Sequence, residues 1–583
     1  MFISKLNHIS LFKTSFNSCL NNLLNKLKKN LGTRTKYFLN GYYYLNIVVV
    51  MVEQGRKRQT YKESIFIFRR DLRLEDNTGL INALYSSDSV YCFFILDSNI
   101  LSANSLYSSF SLPLNTKFLL KQKQKRIHLL RFLKESLIDL QKQFQKLETK
   151  KKTSNNDKND NLDLSQKLNL ISGKPELVIK KIIQKNKEIE AIFVNRDYAP
   201  YGITRDKSIN RLCKSENIEF IECPDVLINE PEEILNSANN PFKVFSQYYN
   251  KALEKPRRKE NFFNIEKYKD NIVSFDNKTL TDLSVTKRID NVDIFFQEIL
   301  SDQSSYANDF GLQLLGRRDK CLELVSELKI KFKKNDNNNK KNLLDNTSSC
   351  LSPYLKFGLY SIREAYSAIQ KELGDYHPLL RQLYWRDFFV YIGFHFPYVF
   401  TNSFKEKYRD NSIKWENDPL KFDSWCNGKT GFPIVDAGMR QLNETGFMHN
   451  RLRLITSSFL TKDLHIDWRY GERYFALKLI DYDPSINNGN WQWTASTGCD
   501  SQPYFRIFNP WLQQKKFDPE CIYIKKWIPE LKEFSKNIIH EWYNVDKVID
   551  KQTYSSSVVD EYPKSIIDHK KGILITKKLY DIN

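Results

Sequence analysis

An α/β domain built on an open parallel sheet, followed through a linker by an all-helical domain, is predicted for this 583-residue chain by three observations. Short β-branched and aromatic runs alternate with helical patterns in the first half, as in strands joined by crossover helices. Beyond about residue 310, apolar positions recur at helical spacing and no strand-like run interrupts them. The length also exceeds what one core holds, so at least two domains are required.

Residues 1–52 contain six Lys, one Arg and no Asp or Glu, and end in the apolar run Tyr43–Val52. This extension (1–60) reads as a disordered arm or a targeting segment, mitochondrial targeting included; Met51 is an alternative start, and the apolar run is too short and interrupted for a membrane span. In the α/β domain (61–228), Ser64–Phe68 is a strand that stops at Arg69-Arg70-Asp71-Leu72-Arg73. Val90–Leu96 and Ala191–Val194 are further strands, and His128–Leu147 is a helix. Lys150–Asp160 is rich in Lys, Asn and Asp without periodicity, which predicts a solvated insertion. A linker (229–310) carries Pro241-Phe242-Lys243-Val244-Phe245. The helical domain (311–560) opens on a second low-complexity run, Lys333–Asn342. Its predicted helices are Ile362–Leu373, Leu379–Phe394, Val435–Leu442, Asn450–Leu464 and Gly471–Ile480, and a short tail (561–583) follows.

The formal net charge is +21, of which +14 remains without the first 52 residues, and hydrophobic residues make up 41% of a globular composition. Such an excess favours a polyanionic partner; nucleic acid, an anionic membrane surface and simple solubility all fit charge alone. The nine cysteines are scattered with no C-x-x-C pair, so neither a zinc site nor a disulfide framework is indicated and a reducing compartment is the default. The eight histidines add no ligand spacing, and no metal is expected.

Chemistry concentrates in Ile466–Pro510, with Trp468, Trp491 and Trp493, the pair Asp481 and Asp483 around Tyr482, adjacent Asn487 and Asn488, and several arginines. That density suits a buried redox cofactor beside a nucleic-acid surface, and indoles can carry an electron in steps between neighbouring rings. Ser348-Ser349-Cys350-Leu351-Ser352-Pro353 precedes a helical stretch, where hydroxyls and backbone N–H groups form an anion site or an ordinary capped turn. On a helix, Asn450, Arg453 and Leu454 share one face.

The order W-R-x-G-E-R, D-x-D, N-N-G-x-W-Q-W-x-A-S-T-G and P-Y-F-R-I-F-N-P resembles the flavin site of the photolyase/cryptochrome family, most closely its class I cyclobutane-pyrimidine-dimer photolyases. F-R-R-D-L-R-L-E-D-N, Asn195–Asp206, P-F-K-V-F and S-S-C-L-S-P-Y-L-K-F-G resemble other segments of the family, over residues 62–560. The resemblance implies bound FAD. Ser348, Ser349, Cys350, Leu351 and Ser352 would hold its diphosphate, with Phe332 where the family usually has a tyrosine. Asn450, Arg453, Asp481, Tyr482 and Asp483 would surround the flavin, Arg453 paired with Asp481, and Asn487 would face N5. Trp491, Trp468 and Trp415 match the family's electron donors, in that order outward. Trp385 and Trp493 match the aromatics that sandwich a flipped dimer, and Asn450 also touches the lesion. Gln382 and Leu454 stand where class I members have Glu and Met. Arg386, Arg451, Arg506 and Gln513 match a phosphate-contacting rim.

A second chromophore, folate or deazaflavin, is also implied, but Tyr201 and Gly202 occupy the positions of an Asn–Glu pair in folate-type members; a flavin or no second chromophore stays open. The expected activity is light-driven repair of cyclobutane pyrimidine dimers in DNA. The alternatives are a cryptochrome-like photosensor and a (6-4) photolyase, the latter disfavoured because His449-Asn450 stands where two adjacent histidines are needed. A monomer without stable membrane association is expected, soluble and DNA-associated, in cytoplasm or nucleus.

Overall fold

Tyr61–Phe68 is buried along nearly its whole length, the mark of a strand covered on both faces. In the computed structural model, which describes residues 60–97, 126–149, 167–275, 287–300, 314–333, 348–410, 412–500, 506–548 and 561–581, it is β1 of a six-stranded sheet. The others are β2 (Ser87–Leu96), β3 (Leu168–Ser172), β4 (Ile189–Asn195), β5 (Glu219–Cys223) and β6 (Lys287–Arg288), in the order β5-β4-β1-β2-β3-β6. Strands β1 to β5 are parallel, with Phe66 opposite Cys92 and Phe193, and β6 closes the β3 edge antiparallel. Helices α1 (Thr78–Ser86), α2 (Ile127–Thr149), α3 (Pro175–Lys185) and α4 (Pro200–Ser215) make the crossovers.

The chain builds outward from β1 through β2 and β3, then returns to the other side of β1 with β4. The carboxyl ends of β1 and β4 therefore flank a topological switch point, where open α/β sheets form a crevice. β3 and β5, five residues each, and the two-residue β6 went unpredicted. β5 is a partly exposed edge strand whose five residues, Glu219–Cys223, are too few to show a period.

The helical half contains α5 (Phe245–Glu254), α6 (Ser352–Phe357), α7 (Ile362–Leu373), α8 (Pro378–His395), α9 (Pro433–Thr445), α10 (Asn450–Lys462), α11 (Trp468–Lys478), α12 (Pro484–Thr494), α13 (Pro510–Phe517) and α14 (His569–Leu579), with other short helices between. α8, α9, α12 and α13 begin with proline, whose missing N–H costs nothing there. α7 starts on a reciprocal Ser361–Glu364 capping box and ends at Gly374. Residues 561–581, read from the sequence as a tail, include α14 against α10: His465 pairs with Gly572 O at 3.0 Å, and the fully buried Tyr580 donates to Ala495 O at 2.7 Å. Residues 1–59, all of Lys150–Asp160, and Lys333–Asn342 except Lys333 lie outside the described residues. Among the described residues no helix is long and apolar enough to cross a membrane, and no His/Cys/Asp/Glu group could hold a metal.

The two halves meet across buried charge. Arg73 and Arg363 both bond the Asp225 carboxylate at 2.7 Å, and Arg363 also pairs with Asp76 at 2.9 Å. Arg318 joins Glu364 at 2.5 Å to Glu75 at 2.6 Å. Beside them the Phe132 ring of α2 lies 5.4 Å from Tyr354 and 5.1 Å from Phe357. The turn after β1 sits on the end of α6: Leu72 N donates to Phe357 O at 3.0 Å and Arg73 Nη1 to Gly358 O at 3.1 Å. Gly358 has φ +66°, and a Cβ there would stand 2.0 Å from Arg70 O, so this approach requires glycine. Asp225→Ala should lower the unfolding free energy by about 3–5 kcal/mol in urea titration, because it leaves the buried Arg73 guanidinium without a carboxylate and Arg363 with Asp76 alone. A loss below about 1 kcal/mol, the range of exposed pairs, would show that they find other partners.

Candidate functional site

α12 packs on α8, α10 and α11, and between these helices and α6 lies a cavity of about 500 Å³. Most of the residues singled out in the sequence line it: Ser348, Ser349, Leu351 and Ser352 from the loop before α6 and its start, Asn450, Arg453 and Leu454 from α10, and Asp481, Tyr482 and Asp483 before α12. Asn487, Trp491 and Trp493 of α12 complete it, with Gln382, Trp385 and Arg386 of α8. The shared face predicted for Asn450, Arg453 and Leu454 is the face turned to this cavity.

Arg453 grips Asp481 through Nη2, 3.1 and 2.8 Å from the two carboxylate oxygens, while its Nε donates to Met448 O at 2.8 Å. Ser352 Oγ adds a 2.7 Å bond to the same carboxylate. Asp483 is used twice: Oδ1 caps α12 by accepting from Ser485 N (3.0 Å) and Ile486 N (3.2 Å), and Oδ2 takes a 2.5 Å bond from Arg70. Burial opposes its charge, but Arg70 and then Lys356 hold the Asp483 carboxyl below its ordinary range. Lys356 in turn is pushed down to about 7 by burial and by Arg70. Asn487 lines the cavity and donates Nδ2 to Glu472 O at 2.9 Å, which uses one of its two amide N–H groups. Burial raises Glu472 itself to about 7, with Asn488 Nδ2 bonded to its Oε1 at 3.1 Å.

Trp491 and Trp468 are each 2% exposed members of one apolar core, and half-buried Trp415 packs against that core. Trp491 touches the cavity, whereas Trp468 and Trp415 do not line it. Trp491 is admitted by Gly471 of α11, where a Cβ would sit 2.1 Å from its ring. Trp425, not singled out in the sequence, is fully buried with its ring 6.2 Å from Trp491 and Nε1 on Thr456 O. Trp385 stacks on Phe245 at 3.7 Å and 8°, and Phe245 stacks on Tyr249 at 5.5 Å, so the Pro241–Phe245 element backs a wall of the cavity.

Four expectations need correction or refinement. Phe332 does not line the cavity; its ring, on the helix Leu328–Lys333, packs at 5.1 Å on His377 at the start of α8. Cys350 does not line the cavity either: it is buried in a left-handed turn (φ +55°), with its N–H on Ser348 Oγ. Arg386 is turned inward, Nη1 bonding Asp387 at 2.7 Å and Val226 O at 2.9 Å. Arg451, Arg506 and Gln513 stand outside the cavity: Arg451 lies over Phe517 at 4.8 Å, its pKa lowered by burial and by neighbouring Arg506, and no carboxylate among the described residues bridges either arginine. A cavity-lining residue that the sequence does not single out is Arg70, in the Arg69-Arg70-Asp71 turn after β1, whose partner Asp483 is far away in the chain.

A second cavity, of about 610 Å³, opens at the switch point between β1 and β4. Tyr201 and Gly202 line it, as do Arg69, Arg126 and Arg205. Arg69 Nη2 and Arg126 Nε are buried there without a partner among the described residues. Arg70, Lys356 and Tyr482 line both cavities and so form their common wall. Gly471→Ala should destabilise the protein by about 1–3 kcal/mol, as overpacking does, and alter the near-ultraviolet circular dichroism of the displaced Trp491. An unchanged spectrum and melting temperature would mean that Trp491 has room to move.

The residues fit a dinucleotide cofactor with a redox-active ring: hydroxyls and guanidiniums for phosphates, carboxylates and amides for ribose and ring edges, and apolar faces, within the size range of cofactor cavities. The family model for the FAD-binding domain of DNA photolyase matches residues 379–581, and that for DNA photolyase matches 64–150 and 156–264. A deoxyribodipyrimidine photo-lyase of Alkalihalophilus pseudofirmus is 34% identical over 511 residues, 86% of this chain and 95% of that protein. A photolyase from Sulfolobus tokodaii, crystallised with two FAD molecules, superposes with TM-score 0.66 and 34% identity over 89% of this chain and 99% of its own. A Synechocystis cryptochrome shares the fold, with TM-score 0.70 and 24% identity over 89% of this chain and 99% of its own. With these matches across both halves, the chain belongs to the DNA photolyase family.

Proposed function

We propose that this chain repairs cyclobutane pyrimidine dimers in DNA by light-driven electron transfer within the helical-domain cavity. The observation that carries the reading is that one 500 Å³ cavity is lined both by Arg453–Asp481 and Asn487 and by Trp385 and Trp493, so cofactor and lesion can share one space. Bound reduced FAD supplies the photoexcited electron that opens the dimer's ring and receives it back. The chain's residues bind, orient and exclude water. Ser348, Ser349 and Ser352 would offer hydroxyls to the diphosphate, and the Asn487 amide would offer a neutral hydrogen-bonding group to the ring without adding negative charge to a site that must hold an anion. Trp385, held flat by Phe245, and Trp493 offer stacking faces to an extruded dimer, which costs less to flip than intact bases. Gln382, exposed at the cavity, can hydrogen-bond a pyrimidine edge but brings neither a proton nor a charge.

His449 counts against a (6-4) reaction, since its Nδ1 accepts from Arg451 N at 3.1 Å and burial pushes its pKa down to about 4. An imidazole that stays uncharged at physiological pH is a poor general acid. The switch-point cavity suits a second chromophore with an anionic group, because Arg69 and Arg126 keep partnerless buried donors there. Its bound molecule is best sought as a second absorbing species after gentle extraction.

Trp415→Phe should abolish light-driven reduction of oxidised flavin, while the chemically reduced variant keeps its dimer repair. This follows from assigning Trp491, Trp468 and Trp415 to regenerate the cofactor. Photoreduction at the wild-type rate would remove Trp415 from the route.

Arg451→Ala and Arg506→Ala should each weaken binding to damaged and undamaged duplexes alike and reduce the salt slope by about one unit, with flavin content unchanged. The wild-type protein should bind the dimer-containing duplex more tightly than the undamaged one. A salt slope unmoved by either substitution takes these residues off the DNA face, and equal affinity for both duplexes contradicts a lesion pocket.

A further inference from the structure

Among the residues lining the helical-domain cavity, Arg70 is the one that comes from the α/β domain, and it lines the switch-point cavity as well. Its place is built rather than incidental. β1 ends at Phe68, and the turn that follows is held on α6 by Leu72 N to Phe357 O at 3.0 Å and by the glycine-only approach of Gly358 to Arg70 O. Arg70 Nε adds a 3.5 Å bond to Lys356 O. From there Nη2 reaches Asp483 Oδ2 at 2.5 Å, and Nη1 stands 3.6 Å from Asp197.

The other groups facing Asp483 are few. Its Oδ1 is taken by the α12 cap, Lys356 Nζ lies 4.0 Å from Oδ2, and Arg386 acts through space. We propose that Arg70 is a positioning residue of the flavin cavity: by pairing with Asp483 it turns a lone buried carboxylate beside the cofactor into a neutral pair, and so raises the site's preference for reduced, anionic flavin over oxidised flavin. The inference rests on reading this cavity as the flavin site. The physical reason is that a carboxylate and an anionic ring in one low-dielectric cavity repel each other, and a guanidinium on the carboxylate cancels most of that field. Arg suits this role better than a residue of the helical domain for one geometric reason: its backbone is clamped to α6, so the head group is pre-aimed at Asp483.

The test is a spectroelectrochemical titration of the purified holoprotein at pH 6, where Lys356, lowered to about 7, remains charged. Arg70→Gln should reduce the preference for reduced over oxidised flavin by about tenfold, a downward shift of about 30 mV for a two-electron couple. Arg70→Lys should recover most of the shift, whereas both variants lose the fork geometry and should show similar losses in melting temperature. A merely structural role would move the melting temperature and leave the potential where it was. An unchanged potential in FAD-bound Arg70→Gln overturns the proposal. Should Arg70→Gln fail to fold, Lys356→Met, which removes the second cation from the same carboxylate, should shift the potential in the same direction by less; no shift there overturns it equally. A wild-type protein that binds no flavin is a different failure, that of the cavity's assignment itself.

Discussion

Everything that positions the candidate site depends on the buried arginine–aspartate lattice between the two halves of the fold. Asp225 accepts from Arg73 of the first βα turn and from Arg363 of α7. Each of these carries a further bond across or along the interface, Arg73 to Gly358 O and Arg363 to Asp76. Buried ion pairs are poor sources of net stability, since desolvation offsets most of the attraction, but breaking one is costly. Their consequence here is register. They hold the turn after β1 at one height on α6, and that height sets where the Ser348 loop, Lys356 and Arg70 stand relative to Asp483.

The same arrangement makes the wall between the two cavities thin and charged. Arg70, Lys356 and Tyr482 face both spaces, and the Arg126 guanidinium lies 5.0 Å over the Tyr482 ring from the switch-point side. A group bound in either cavity therefore meets side chains that also face the other. In the helical cavity opposite charges are paired before any ligand arrives, Arg453 with Asp481 and Arg70 with Asp483, while the switch-point cavity keeps buried donors unpaired. The first is pre-organised for a cofactor whose charge changes; the second is organised for an anion.

Much of this was legible in the residues themselves. The strands β1, β2 and β4 declare themselves by dense β-branched and aromatic runs, and Ile362–Leu373 matches its predicted bounds because a capping box and a glycine mark both ends. The Arg453–Asp481 pair follows from helical spacing combined with the family resemblance. Phe332 was misplaced because the residues between it and Ser348 carry no periodic signal from which a register can be counted. Arg70 was quoted as the end of a strand, yet its partner lies 413 positions away, and no local pattern encodes a contact of that range. Arg386 was read as a surface cation, but Asp387 beside it draws it inward. Trp425 was invisible for the opposite reason: one more tryptophan in an aromatic core carries no spacing that distinguishes it.

The central claim is that lesion and cofactor share the cavity between α8, α10 and α12. It is tested most directly by illuminating the chemically reduced wild-type protein with oligonucleotides carrying a single cyclobutane thymine dimer, in duplex and in single strands, beside the same sequence carrying a (6-4) product and beside dark controls. Light-dependent restoration of the two thymines from the cyclobutane dimer, with the (6-4) product untouched, is the result this account requires. Flavin-loaded protein that restores no dimer in either strand form would contradict it and leave the cavity to a photosensor.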